Sequence, residues 1–254
     1  MPMPVELADI AADVFARIRV RSPRVHCITN SVAQAYTANI LLAAGAVPSM
    51  TVAPQEIGAF VVSADALLVN LGTFDSERKA AIDVALATAA ETGLRWLLDP
   101  VFIERSPGRA QFARELVGRG PAVVRLNQAE FAVLANDPTG DAPARFARVH
   151  KAIMALTGAV DLVTDGDRRA KIANGDPLMG LVTAMGCAGS ALVCAALTVE
   201  ADAYLATIAA LAAFGVAGER AARNAGGPGS FAAAMIDVLH GLDHAELRAH
   251  IKVS

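Results

Sequence analysis

The 254-residue chain has little cysteine, no marked excess of charge of one sign and no hydrophobic run long enough to cross a bilayer. Each shortage removes a class of function. Cys27, Cys187 and Cys194 form an odd set without a CxxC pair, which argues against a disulfide framework or a zinc knuckle and for a reducing compartment. A net charge of -3 offers no electrostatic footprint for nucleic acid or an anionic membrane, so a small-molecule partner is favoured. The longest apolar run, AYLATIAALAAFGVAG at 203–218, is closed off by Glu200, Asp202, Glu219 and Arg220. It is shorter than the roughly 18 to 20 residues of a membrane span and reads as a helix buried between layers. The N-terminal segment carries acids early and no small-residue cleavage site, so a signal peptide is not expected and the cytoplasm is the expected compartment. There is also no GxxxxGK[ST] loop and no kinase glycine loop. No repeat, low-complexity tract or Pro/Gly-rich linker divides the chain, so residues 1–254 are expected to form one domain.

What is present is 54% hydrophobic residues in an alternating pattern. VHCIT (25–29), ALLVN (66–70), RWLLD (95–99), AVVRL (122–126) and IMALT (153–157) are candidate buried strands. Between them lie helical patterns such as SVAQAYTANILLAAG, expected to begin at Asn30 or Ser31, and DSERKAAIDVALATAAETG, both leaving through glycine. This alternation predicts an α/β fold, a mostly parallel central sheet with helices on both faces. VDLVTDGDRRAKIANG reads as a hairpin across Asp165-Gly166, and the chain from Gly186 onward as almost wholly helical.

In such sheets the ligand crevice lies beyond the carboxyl ends of the strands. Polar residues recur there: Thr29 and Asn30, Asn70 with Gly72, Asp99, Arg125 with Asn127 and Glu130, and Thr157 with Gly158. One such residue alone is ordinarily a helix cap or a satisfied turn; recurrence at successive strand ends is what points to a site. The set suits phosphoryl transfer. Asp99 and Glu130 are hard oxygen ligands able to hold Mg²⁺ directly or through its waters, and Arg125 and Thr157 can donate to phosphate oxygens. A helix opening at Gly186 aims free backbone N–H groups at an anion, and glycine lets that anion come close.

VHCITNSVAQAYTANILLAAGAVPSM, ALLVNLGTF, LLDPV, RLNQAE, LTGAVDLVTDG, VTAMGC and GPGSF follow one another in an order and spacing that resembles the hydroxyethylthiazole kinases of the ribokinase-like superfamily. The resemblance runs from about Arg24 to beyond Phe231. It implies the ribokinase-like three-layer fold and ATP-dependent phosphorylation of the hydroxyl of 4-methyl-5-(2-hydroxyethyl)thiazole in thiamine salvage. It further implies Mg²⁺ at the phosphates and a homotrimer with the thiazole pocket at subunit interfaces. By the same resemblance Met50, Asn30 and the Ala184 loop stand on the substrate side, and Arg125 and Thr157 at the ATP phosphates. Asp99 and Glu130 stand at the magnesium, and Cys187 beside Gly186 at the position of the catalytic base. A thiol at a helix N-terminus is expected to have its pKa lowered, which favours thiolate. Cysteine is also a frequent core residue, so Cys187 keeps a packing alternative, as do Cys194, His26, Cys27 and Met50.

Four departures from the family pattern stand out. Ala184 replaces the first glycine of Thr-Gly-x-Gly-Cys, and Met185 is bulky for that loop. If position 184 requires a positive φ, alanine forces a local rearrangement there. Phe102, Ile103 and Glu104 replace a small Gly-Ala-rich loop after Asp-Pro-Val. Ala159 stands in place of a glutamate, and the segment between RLNQAE and LTGAVD is short. These departures keep open a kinase for another small alcohol and a catalytically weak ligand-binding relative.

Overall fold

The computed structural model describes residues 4–135 and 140–254; the short segment noted above falls partly at 136–139, outside them. In chain order the elements are α1 (Pro4–Arg21), β1 (Arg24–Ile28), α2 (Gln34–Ala43), β2 (Val47–Ser49), α3 (Ile57–Ser63), β3 (Ala66–Asn70), α4 (Ser76–Thr92) and β4 (Trp96–Asp99). A short 3₁₀ turn, Ile103–Arg105, leads into α5 (Pro107–Val117), β5 (Val123–Asn127), α6 (Gln128–Leu134), α7 (Ala142–His150), β6 (Ile153–Thr157), β7 (Asp161–Thr164) and β8 (Arg169–Ile172). The rest is helical: a 3₁₀ segment at Pro177–Leu181, then α8 (Met185–Val199), α9 (Ala203–Asn224), α10 (Pro228–Gly241) and α11 (His244–His250).

The eight strands form one sheet in the order β2-β1-β3-β4-β5-β6-β7-β8. Pairing is parallel from β2 to β6, and the expected hairpin of β7 and β8 adds the antiparallel edge. Successive strand residues point to opposite faces and feed two separate layers. Val25, Leu68, Leu97 and Val123 pack with α1, α2, α8 and α9 through Phe15, Leu41, Leu192 and Phe214. Leu67, Val69, Leu98 and Val124 pack with α3 to α7 through Val61, Ile82, Phe112, Phe131 and Phe146. Burying each such side chain is worth ~1.5–3 kcal/mol, so the double-sided apolar strands fix the three-layer arrangement.

Three details differ from the sequence expectation. β2 is an additional strand: three residues with a central proline carry no alternation signal, and proline is tolerated because the strand lies at the sheet edge. α2 starts at Gln34, not at Asn30 or Ser31; the Asn30 side chain accepts from the Ala33 N–H at 2.9 Å and forms a turn ahead of the helix. α9 runs on through the polar residues past Gly218 to 22 residues, long enough by length alone to cross a membrane, yet 78% of its apolar window is buried inside the protein. The second long helical pattern behaves as expected, with Asp75 capping α4 by accepting from the Arg78 N–H at 2.7 Å and Gly93 closing it at φ 68°.

Candidate active site

The strand-end polar residues meet because the strands are parallel and in register. Asn70 lies beside Asp99 across β3 and β4, and Asn127 beside Thr157 across β5 and β6. Asp99 is buried at the centre. Its Oδ2 accepts from Asn70 Nδ2 at 2.8 Å and from the Ser190 hydroxyl at 2.8 Å. The Ser190 oxygen in turn accepts from Arg125 Nη1 at 3.4 Å. On the other side Asn70 Oδ1 accepts from Asn30 Nδ2 at 3.4 Å, and the same Asn30 amide faces Cys187 Sγ at 3.4 Å. One connected polar chain therefore runs from Arg125 through Ser190, Asp99, Asn70 and Asn30 to Cys187.

Burial raises the pKa of the Asp99 carboxyl, opposed by the nearby Arg125 charge and the donated hydrogen bonds. Glu130 is raised as well, first by burial, with the Asp99 charge adding to it. Its oxygens are taken by backbone donors: Oε1 accepts from Phe102 N and Oε2 from Asn127 N, each at 2.9 Å. With Asn127 accepting from Glu130 N, this makes a capping box at the start of α6. Two buried carboxylates that disfavour each other's charge fit a divalent cation nearby. Because Glu130 is engaged by backbone amides, the donor set fits an ion reached through water. Among the described residues no group of three or more His, Cys, Asp or Glu side chains forms a closed metal cage.

Arg125 also borders a cleft of 630 Å³, whose walls include Asn127, Thr157, Met185, Gly186 and Phe214. The guanidinium retains a buried Nε–H without a partner, and the hydroxyl of Thr157 donates to Leu126 O at 3.3 Å. α8 opens onto this cleft. No side chain caps it, and the preceding residue, Ala184, sits at φ 72°: the backbone keeps a positive φ here, and the alanine carries it as strain in place of the expected rearrangement. Met185 packs on the core and at the same time forms part of the cleft wall. A Cβ placed on Gly186 would lie 3.3 Å from Arg125 Nη1, so glycine keeps the space beside the cation open.

The thiol behaves against expectation. Burial pushes Cys187 up to about 11, and the Asp99 charge adds to the rise. A helix N-terminus is worth only fractions of a kcal/mol to about 1 kcal/mol per charge, less than desolvation in a dry corner next to a carboxylate. Cys194 is a core residue, fully buried with its Sγ 3.6 Å from Leu67 O. His26 is likewise structural: Nε2–H donates to Thr51 O at 3.1 Å, so Nδ1 accepts from the Ser49 hydroxyl at 2.8 Å. These bonds hold the segment carrying Met50, which is half-buried against the α1/α2/α8 layer and is not part of the polar chain or the cleft.

Sequence reasoning singled out Asn70 but gave Ser190 and Asp161 no role. Ser190 lies one turn beyond Gly186 on the same helix, a spacing that carries the signal. Asp161 accepts from Gly158 N at 2.9 Å and rigidifies the turn after Thr157. The loop after β4 is strained: Val101 has φ 21° and Phe102 φ 58°, held by Glu130 on Phe102 N and by Arg109, which donates to Val101 O at 2.8 Å.

Comparison with known proteins places this geometry. The profile of the hydroxyethylthiazole kinase family matches residues 15–245. A probable hydroxyethylthiazole kinase of Agrobacterium fabrum is 40% identical, over 96% of this chain and 94% of its own. A hydroxyethylthiazole kinase of Rhizobium etli is 44% identical, over 93% of this chain and 98% of its own. The structure of a hydroxyethylthiazole kinase protein from Pyrococcus horikoshii OT3 superposes with a TM-score of 0.92 at 36% identity, covering 96% of this chain and 98% of that one. A ribokinase-like superfamily protein from Enterococcus faecalis, at 13% identity and a TM-score of 0.68, shares the fold alone. With this fold, these strand-end residues and this extent of likeness, the chain belongs to the hydroxyethylthiazole kinase family.

Proposed function

We propose that the protein transfers the γ-phosphoryl group of ATP to the hydroxyl of 4-methyl-5-(2-hydroxyethyl)thiazole, a thiamine salvage step. The observation that carries this reading is the placement of Asp99 between two unlike neighbourhoods. On one side lie Arg125 and the uncapped start of α8 at the cleft, and on the other the Asn30–Cys187 corner. Arg125, Thr157 and the backbone at Gly186 hold the phosphates, and the N–H groups of α8 stabilise charge that develops on the transferred group. Asp99 and Glu130 would hold Mg²⁺, Glu130 by way of water because its oxygens are taken by backbone amides. When bound, the ion neutralises phosphate charge. Asn30, Met50 and the Ala184 loop bound the acceptor. Its oxygen attacks the γ-phosphorus, the bond to the β–γ bridging oxygen breaks, ADP leaves, and the hydroxyl proton passes to the Cys187 sulfur in the fraction of molecules whose thiol has already lost its proton to solvent. A loose transition state asks more of positioning and charge stabilisation than of a strong base, consistent with a thiol held largely protonated.

The reading includes a homotrimer with shared sites, supported by Val32, Leu42 and Val47, which are 70%, 56% and 47% exposed around α2 and the edge strand β2 beside Met50. It also includes a single domain, supported by the one continuous sheet, and a reducing cytoplasmic setting, supported by three free thiols. Light scattering that gives a monomer at working concentration removes the shared site. One observation favours a second reading, a kinase for another small alcohol: Phe102, 48% exposed on the strained loop after Asp99, adds a large ring close to the site. An ATP-consumption assay against thiazole, pyrimidine and sugar alcohols tests both. The thiazole alcohol is expected to give the highest kcat/KM; a different preferred alcohol supports the second reading, and ligand binding without turnover overturns both.

A further inference from the structure

Asn70 has no part in the roles assigned above, yet it occupies the middle of the polar chain. It is 1% exposed and uses both ends of its amide: Nδ2 donates to Asp99 at 2.8 Å, while Oδ1 accepts from Asn30 at 3.4 Å and from the Gly72 N–H at 3.0 Å. The Gly72 N–H can only donate, so the Asn70 amide has one allowed orientation, with its oxygen toward Gly72 and Asn30. That oxygen holds the Asn30 NH₂ group, whose second contact is Cys187 Sγ, while the Asn30 oxygen accepts from the Ala33 N–H at 2.9 Å. Asn30 is confined from the opposite side too. A Cβ on Gly72 would meet Asn30 Nδ2 at 2.5 Å and its Cβ at 2.8 Å, so the bare backbone of Gly72 is the surface on which the Asn30 side chain lies. Residues 70 and 72 are thus joined by their own hydrogen bond and hold Asn30 between them.

We propose that Asn70 and Gly72 are positioning residues that set the acceptor corner, Asn30 and Cys187, in fixed register with the Asp99 side of the site. The inference rests on the kinase reading and deepens it. Neither residue lines the nucleotide cleft, so their loss acts on the acceptor and on kcat and leaves nucleotide binding in place. A side chain released from one of its constraints drifts by a fraction of an ångström to about 1 Å, and misplacement of that size at a reacting group costs up to ~10²-fold in rate.

The test compares Asn70→Ala and Gly72→Ala with the wild-type chain in steady-state assays with the thiazole alcohol, and repeats Asn70→Ala in a Cys187→Ser background. Both single variants are expected to lose kcat by ~10-fold to ~10²-fold with KM for ATP changed by less than about threefold. In the Cys187→Ser background Asn70→Ala is expected to cost less than about threefold more, because residues that act through one another are non-additive. If circular dichroism shows Asn70→Ala unfolded, Gly72→Ala decides, since it displaces Asn30 without touching the Asn70–Asp99 bond. Wild-type kcat in the folded variants, a loss confined to KM for ATP, or full multiplication of the Asn70 and Cys187 effects overturns the positioning role. Absence of turnover in the wild-type chain overturns the kinase reading first, and this inference with it.

Discussion

Two helices start at the site, and they start in opposite ways. α6 is closed: Asn127 and Glu130 exchange hydrogen bonds with each other's backbone, and the second Glu130 oxygen takes the amide of Phe102. α8 is open: it has no side-chain cap, a left-handed alanine ahead of it, a glycine in its first turn and Arg125 beside that glycine. The same number of orphan N–H groups exists at each start; at the closed one side chains take two backbone donors, and at the open one they take none. The difference separates two tasks. The closed start fixes a carboxylate and a strained loop, and the open one leaves donors for an anion that the protein itself does not supply.

The largest expected effect breaks this comparison at the sulfur. If Cys187 takes the proton, its thiolate must form first. With the thiol near 11, its thiolate fraction rises about tenfold per pH unit through the neutral range. Single-turnover rates between pH 7 and pH 9 are then expected to rise by up to ~10²-fold in the wild-type chain and to stay flat in Cys187→Ser, with Ser slower by ~10² or more at pH 9. A flat wild-type profile with Ser near wild type assigns the catalysis to the open start of α8 alone.

His26, bonded to Ser49 and Thr51 away from both helix starts, sets a structural group beside that comparison and is tested by pH. Its folded pKa is depressed to about 4, by burial above all, against an ordinary value of 6.5. The unfolded chain therefore binds the proton more readily. The stabilisation is complete above pH 6.5 and is lost as pH falls through 6.5 toward 4, amounting to roughly 3 kcal/mol when both states are protonated. Asp99 and Glu130, raised on folding, act with the opposite sign, so the check is a difference. The unfolding free energy of wild type minus that of His26→Asn, from urea titrations, is expected to be constant above pH 6.5 and to fall by roughly 3 kcal/mol as pH is lowered toward 4, and a difference that stays constant rejects the buried neutral imidazole.

The sequence carried the fold further than it carried the electrostatics. Strands β1, β3, β4, β5 and β6 are legible because parallel strands covered on both faces are continuous apolar runs. β2 is not, since Val47-Pro48-Ser49 has neither length nor alternation. The strand-end residues are legible as a set, and the registers that pair Asn70 with Asp99 and Asn127 with Thr157 follow from the topology. The capping box is visible as Asn-x-x-Glu before an apolar run, but it competes with the metal reading of the same glutamate, and only coordinates show both oxygens taken. The raised thiol was not legible. Helix position is written in sequence, whereas burial and the approach of Asp99 are set by packing.

Separating those two roles of Glu130 sharpens the comparison at about 1 kcal/mol. Asn127→Ala removes a cap and is expected to cost ~1 kcal/mol of stability. Glu130→Gln keeps an acceptor for one of the two backbone donors, turns its NH₂ against the other, and removes a buried charge whose raised pKa marks it as unfavourable. The two effects oppose each other, so its stability at pH 7 is expected to stay within about 1 kcal/mol of wild type, while the Mg²⁺ concentration needed for half-maximal turnover rises. Thermal unfolding and a magnesium titration check the two halves. A stability loss with unchanged magnesium dependence makes Glu130 a cap and nothing more.

The smallest effect lies at the open start. Ala184 at φ 72° carries the left-handed penalty of a side chain, ~1–2 kcal/mol, offset in Ala184→Gly by ~0.5–1 kcal/mol for glycine's looser unfolded chain. The net is a gain of a few tenths to about 1 kcal/mol, or up to ~2–4 °C in Tm for a chain of this size. Its position matters more than its magnitude, because the strain sits one residue before the uncapped turn and vanishes without altering any hydrogen bond that a side chain makes. If the open start needs only the backbone conformation seen here, Ala184→Gly stabilises the protein and leaves kcat/KM for ATP unchanged. If the methyl group holds the first turn of α8 against the cleft, the same variant gains stability and loses ATP affinity. Isothermal titration with a non-hydrolysed ATP analogue, read beside the Tm, distinguishes the two, and a fall in Tm rejects the strain itself.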